Sequence, residues 1–210
     1  MLEIALVALT TFFATIGPVD VAAIFAGITH RNTPLERRRM AIRGWAIATG
    51  LMLVTAFFGE VVLRHMGITL AALRTAGGIL LLLMAIDMVF ARHTGGTSTT
   101  REETDEAATK ADISVFPLAT PLIAGPGAMG AAILLMAEAE GDALRQTAVI
   151  GSLLAILLAT LVLLLLAGQV SRLLGVTGLN VISRVVGVLL AALAVQFLFD
   201  GIAQSGLFAR

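Results

Sequence analysis

Gly17-Pro18-Val19-Asp20 and Gly125-Pro126-Gly127-Ala128 interrupt two long apolar runs of this chain, and they lie 108 residues apart. Gly67-Ile68-Thr69 and Gly175-Val176-Thr177 repeat with the same spacing. Each half of the chain carries three apolar segments, so the odd number would insert the second copy with the opposite orientation. Inverted repeats with helices interrupted by glycine and proline are a sequence signature of secondary transporters.

The composition is that of a membrane protein. Hydrophobic residues make up 58% of the chain, charged residues only 13%, and the mean hydropathy is +0.98. The chain has no cysteine, and its three histidines lack metal-ligand spacing, so we expect no disulfide, cofactor or structural metal site. Nucleophile–base patterns and phosphate-binding loops are also missing, which argues against an enzyme. The basic residues form no extended face for a nucleic acid.

Six segments are long enough to cross a bilayer, which takes about 20 apolar residues. They are Leu2–Ile28, Ala41–Leu63, Ile68–Phe90, Ile113–Met136, Ala148–Ala167 and Val176–Ile202. The sequence therefore predicts an all-α membrane protein with six transmembrane helices in two inverted three-helix repeats. Helices 1 and 4 are expected to break at their Gly-Pro pairs. Residues 1–90 form the first repeat, residues 91–112 a polar linker, and residues 113–210 the second repeat.

The basic residues between the segments predict the orientation. One side would hold nine of them, against three on the other side. The larger set is Arg31, Arg37, Arg38, Arg39, Arg43, Arg92, Arg101, Lys110 and Arg172, and the smaller set is Arg64, Arg145 and Arg210. The side with nine should be cytoplasmic, which puts both termini outside.

Single cysteines test this topology, because the natural chain has none. A cysteine at Ser98 should be protected from a membrane-impermeant thiol reagent in intact cells, and one at Gly141 should react. Labelling of the Ser98 position from outside would reverse the predicted orientation.

Each break in a membrane helix frees backbone groups that must find protein, water or ligand partners. Near the membrane midplane, two half-helices would begin with positive dipole ends and two would end with free carbonyl groups. This arrangement would suit a small zwitterion or an ion pair. The candidate binding residues are Gly17, Val19, Asp20, Thr120, Ala124, Gly125, Gly127 and Ala128. The alternative is that both breaks are proline kinks satisfied by neighbouring helices. Matching positions in the two repeats favour a shared site.

Asp20 is the most informative ionisable residue, because a carboxylate deep in a membrane segment is costly and marks a pathway or coupling site. It could bind a proton, Na⁺ or a substrate ammonium group. It could also be the N-cap of the second half-helix, where aspartate is favoured.

Four further charged residues are candidates for gates or ion pairs. Arg74 and Arg184 lie some way inside their segments, where snorkelling to the interface would also accommodate them. Glu60 could pair with Arg74, and Asp87 with Arg184 or Arg43. Such pairs could open and close or act as static contacts.

The chain resembles the MarC family of integral membrane proteins. The motif Phe116-Pro117-Leu118-Ala119-Thr120-Pro121-Leu122-Ile123-Ala124-Gly125-Pro126-Gly127-Ala128 carries most of the similarity, and Leu70–Leu80 looks like the family's third-helix signature. The resemblance implies six helices in two inverted repeats, in a bacterial or archaeal cytoplasmic membrane. It also implies, through some members, transport of small neutral amino acids such as alanine, glycine and serine. The family's usual asparagine and glycine in the first motif are Gly17 and Asp20 here, which adds a carboxylate beside the break.

These observations favour a secondary transporter of small neutral amino acids that is coupled to H⁺ or Na⁺ and works by alternating access. The partners would be the amino acid, the coupling ion and membrane lipid, and an oligomer is compatible with the sequence. Two alternatives stay open. One is an exporter or channel for another small metabolite or ion, and the other is a non-transporting membrane protein.

Overall fold

The computed structural model describes residues 2–30, 32–90, 112–139 and 141–205. Within these ranges, the side chains of residues 170–177, 179 and 180 are not described. The predicted linker therefore falls outside the described residues, apart from Asp112. The described chain is all-helical. Its helices are α1 (Leu2–Ile16), α2 (Pro18–Ile28), α3 (Pro34–His65), α4 (Leu70–Val89), α5 (Ser114–Ile123), α6 (Pro126–Glu138), α7 (Ala143–Leu165) and α8 (Ala167–Gln204).

Five stretches of the described chain are long and apolar enough to cross a membrane. They are Leu2–Ile28, Pro34–His65, Leu70–Val89, Ala143–Leu165 and Val181–Gln204. The pair α5 and α6 gives a sixth if it is counted as one span, bent by 54°. The protein is thus a multi-pass helical membrane protein.

Proline sets the starts of α2 and α6. α1 ends at Ile16, and Gly17 adopts a left-handed backbone with φ 60° before Pro18 begins α2. Glycine carries no Cβ penalty in that conformation. α6 begins with Pro126, a favoured first helical residue because its missing N–H would have no helical partner there. α5 is irregular, with extended backbone at Phe116 and Thr120, which lie directly before its two prolines.

α4 and α8 make the most extensive helix contact, and small residues allow it. A Cβ on Gly78 would lie 2.8 Å from the Ala194 carbonyl oxygen, and one on Gly201 would lie 2.8 Å from the Thr75 backbone nitrogen. A Cβ on Gly187 would lie 2.8 Å from Met88 Cβ, so this glycine also lets α8 pack closely on α4.

The remaining helices pack on one another and, in part, on this pair. α1 and α2 pack on α7, while α5 and α6 pack on α3. α2 also contacts α8, and α6 contacts α4. α1 meets α6, and α2 meets α5. Trp45 links α3 to α7, since its indole N–H donates to the Leu157 carbonyl at 2.8 Å.

Two helices begin before the apolar segments predicted for them. α3 begins at Pro34, ahead of the segment Ala41–Leu63, because a capping box of Thr33 and Glu36 starts the helix there: the Thr33 N–H donates to Glu36 Oε2 at 2.8 Å. The expected loop before Val176 is helical instead, and α8 begins at Ala167. The stretch 167–175 contains no proline, so nothing in its backbone chemistry stops a helix.

Candidate functional site

Asp20 reaches from α2 to α8. Its Oδ1 accepts a hydrogen bond from Ser183 Oγ at 2.6 Å, and both side chains are half-buried. The N-cap of α2 is Gly17, and no side chain caps the helix. The alternative interpretation of Asp20 as an N-cap is therefore wrong, because the carboxylate is the third residue of α2 and faces another helix.

Ser183 was missed by the sequence analysis. The one available signal was its position 108 residues after Thr75, the same spacing that separates the two Gly-Pro pairs. Serine hydroxyls are common in membrane helices and usually bond to their own backbone, so the signal was weak.

A small cavity opens beside Asp20 at the α1–α2 junction. Its volume is about 10 Å³, enough for about one water molecule. Its walls come from α1, α2, α4 and α8. They are Phe13, Gly17, Pro18, Val19, Asp20, Met88, Ile182, Ser183 and Val186. The predicted residues Gly17, Val19 and Asp20 thus line one cavity, together with residues of α4 and α8.

The residues of the second break are packed differently. Ala124, Gly125, Gly127 and Ala128 are buried, whereas Thr120 is exposed. A Cβ on Gly125 would lie 2.7 Å from the Pro121 carbonyl oxygen. These residues do not line the Asp20 cavity. Their contact with a ligand stays a prediction.

Two methionines of α4 connect the two breaks. Met88 lines the cavity beside Gly17, and Met84 lies against Gly127, where an added Cβ would overlap the Met84 sulfur. Residues four apart lie on one face of a helix, about one turn from each other. The breaks therefore lie against neighbouring positions of one buried face of α4.

The predicted ion pairs of Glu60 and Arg43 are wrong. Arg74 Nε donates to Glu138 Oε1 at 2.7 Å, while Glu60 pairs with Arg64 one turn along α3. Arg74 lies against α6, which carries Glu138, and Glu60 satisfies its charge locally.

Arg43 pairs with Asp112 at 2.7 Å instead of Asp87, because α5 starts beside α3. Hydrogen bonds from Ser114 hold the pKa of Asp112 below its ordinary value, and the nearby Arg43 adds to the effect. Asp87 is half-buried near the end of α4. Arg184 is exposed, as snorkelling predicts, and forms no ion pair within the described part of the chain.

Comparison with known proteins places the chain in a family. The model of the MarC family integral membrane proteins matches residues 2–205. A UPF0056 membrane protein of Methanocaldococcus jannaschii is 36% identical over 96% of this chain and 97% of its own length. YhcE of Escherichia coli, also named a UPF0056 membrane protein, is 32% identical over 90% of this chain and 87% of its own. No solved structure matches. The extent of these matches shows that the chain belongs to the MarC family of integral membrane proteins.

Proposed function

We propose that the protein is a secondary transporter of small neutral amino acids, with Asp20 as the site of the coupling ion, H⁺ or Na⁺. One observation carries the proposal. The Asp20 carboxylate lies at a helix junction within an apolar span and is bonded to Ser183 on a different helix. An ionisable group inside a membrane segment is costly to keep and typically serves a proton or ion pathway.

The helix contacts support two inverted repeats. If α1, α2, α3 and α4 correspond to α5, α6, α7 and α8, the main contacts between helices should occur in matching pairs. The contact of α1 with α7 corresponds to that of α5 with α3, and α2 with α8 corresponds to α6 with α4. In the same way, the contact of α1 with α6 corresponds to that of α5 with α2. This is the pattern expected when an axis in the membrane plane relates two halves of a transporter.

The half-helices supply the chemistry for a zwitterion. The first turns of α2 and α6 have backbone N–H groups without helical partners and a positive dipole end, which suits a carboxylate. The Asp20 carboxylate could face an ammonium group or the coupling cation.

The cavity beside Asp20 holds only about one water molecule, so an amino acid requires movement of the surrounding helices. Movement of one half against the other is the alternating access expected of this architecture.

The test is counterflow in proteoliposomes that contain the purified full-length protein. Vesicles loaded with unlabelled alanine should accumulate labelled alanine from outside, and an imposed proton or sodium gradient should drive net uptake. Vesicles without protein and vesicles loaded with sucrose are the controls. The amino-acid proposal is refuted if none of alanine, glycine and serine exchanges.

A second candidate function is transport of a cationic or more polar solute. Asp20 favours it, because this carboxylate stands where the family motif has glycine, and it adds a negative charge to the cavity wall. Exchange of labelled putrescine or lysine in the same vesicles, with no exchange of alanine, would select this candidate. If none of these solutes exchanges across the vesicle membrane, the remaining alternative is a non-transporting membrane protein.

A further inference from the structure

The most buried ion pair of the described residues joins the two halves of the chain away from Asp20. Arg74 on α4 and Glu138 at the end of α6 contact at 2.7 Å, and their side chains are only 13% and 24% exposed. The other described pairs each have a side chain at least 45% exposed. Removal of one partner from a buried pair leaves an uncompensated charge, so such a pair separates readily only when another ion replaces the lost partner.

A cavity of about 210 Å³ opens next to Glu138. It is far larger than the cavity beside Asp20 and lies between α1, α6 and α7. Its walls are Glu3, Ile4, Val7, Leu135, Glu138, Ala139, Arg145 and Val149. The walls carry two carboxylates and the Arg145 guanidinium together with apolar side chains, and Arg74 contacts Glu138 from outside these walls. These walls suit a small solute that carries an ammonium group, a carboxylate and a short apolar part.

We propose that Arg74 and Glu138 form an access site for a small zwitterion. In the empty site the two side chains pair with each other. During access the ammonium group of the solute binds Glu138 from the cavity, and its carboxylate replaces Glu138 on Arg74. The proposal rests on the transport function proposed above and adds the residues that admit the solute and close behind it.

Charge matching makes the site selective. A solute with only a carboxylate would satisfy Arg74 and leave Glu138 buried without a partner, and a simple amine would do the reverse. A zwitterion satisfies both groups at once. The wild-type protein should therefore bind alanine, and neither propionate nor ethylamine should displace it effectively.

Variants of the pair should change this selectivity in opposite directions. Glu138→Gln leaves Arg74 without its carboxylate, so propionate should displace labelled alanine at about a tenfold lower concentration than in the wild type. Arg74→Gln should produce the same gain for ethylamine. Arg43→Gln is the matched control, because it removes the exposed ion pair of α3 with Asp112 and should change neither competition. Competition is measured by equilibrium binding of labelled alanine to the purified full-length protein.

A static contact would lower the stability of the variants without these opposite shifts, so an unchanged competition pattern in both folded variants overturns the proposal. If the neutral variants do not fold, Arg74→Lys and Glu138→Asp keep both charges and should weaken alanine binding by about tenfold, whereas unchanged affinity would overturn it. Failure of the wild type to bind alanine would overturn it too. Alanine binding with the expected shifts but without counterflow would refute transport and leave the site standing.

Discussion

Asp20→Asn should reduce gradient-driven alanine uptake to the level of protein-free vesicles. Asparagine keeps the shape of the side chain and an oxygen that can accept the Ser183 hydrogen bond, so the helix contact is preserved. It cannot bind a proton or supply a negative charge to Na⁺. The fold and alanine counterflow should therefore survive, while the coupling to the ion gradient is lost.

A second substitution tests the partner of Asp20. Ser183→Ala removes a hydrogen bond to a carboxylate, which contributes about 1.5–3 kcal/mol and corresponds to at least about tenfold weaker use of the gradient. Thr160→Ala is the matched control, because this buried hydroxyl bonds only to the Ile156 carbonyl of its own helix. Full gradient-driven uptake by Asp20→Asn would show that the carboxylate has no coupling role.

Gly78→Ala and Gly201→Ala should each destabilise the protein by about 1–3 kcal/mol, the usual cost of overpacking. An added Cβ at either site meets backbone atoms of the facing helix within 3.0 Å, and backbone cannot rotate away as a side chain can. The change should push α4 and α8 apart where the two halves meet. The double variant should be destabilised further, since the two glycines act at different points of the contact.

Gly50→Ala and Gly151→Ala provide matched controls, because a Cβ at either position meets nothing within 4 Å. Alanine favours a helix over glycine by up to about 1 kcal/mol, so these variants should be neutral or slightly stabilised. Thermal unfolding in detergent, followed by size-exclusion recovery, measures the difference. Equal stability of Gly78→Ala and Gly50→Ala would mean that α4 and α8 do not pack through Gly78.

The sequence predicted the helical content and most of the spans because the responsible chemistry is local. The length of an apolar run indicates whether that segment can span the hydrocarbon core of a bilayer. The starts of α2, α3 and α6 could be predicted from Pro18, Thr33 and Pro126, since caps and first-turn prolines act over a few residues. The start of α8 lies before the predicted segment Val176–Ile202, and single glycines such as Gly168 and Gly175 do not stop a helix.

Partner choice is what only the tertiary structure decided. The charges of Arg74, Glu60 and Asp20 were visible in the sequence, but Glu138 lies 64 residues from Arg74 and Ser183 lies 163 residues from Asp20. Which side chains meet depends on the rotation of each helix about its axis and on its neighbours. Hydropathy cannot encode this, because lipid accepts any apolar face equally and helix packing alone selects the face that turns inward.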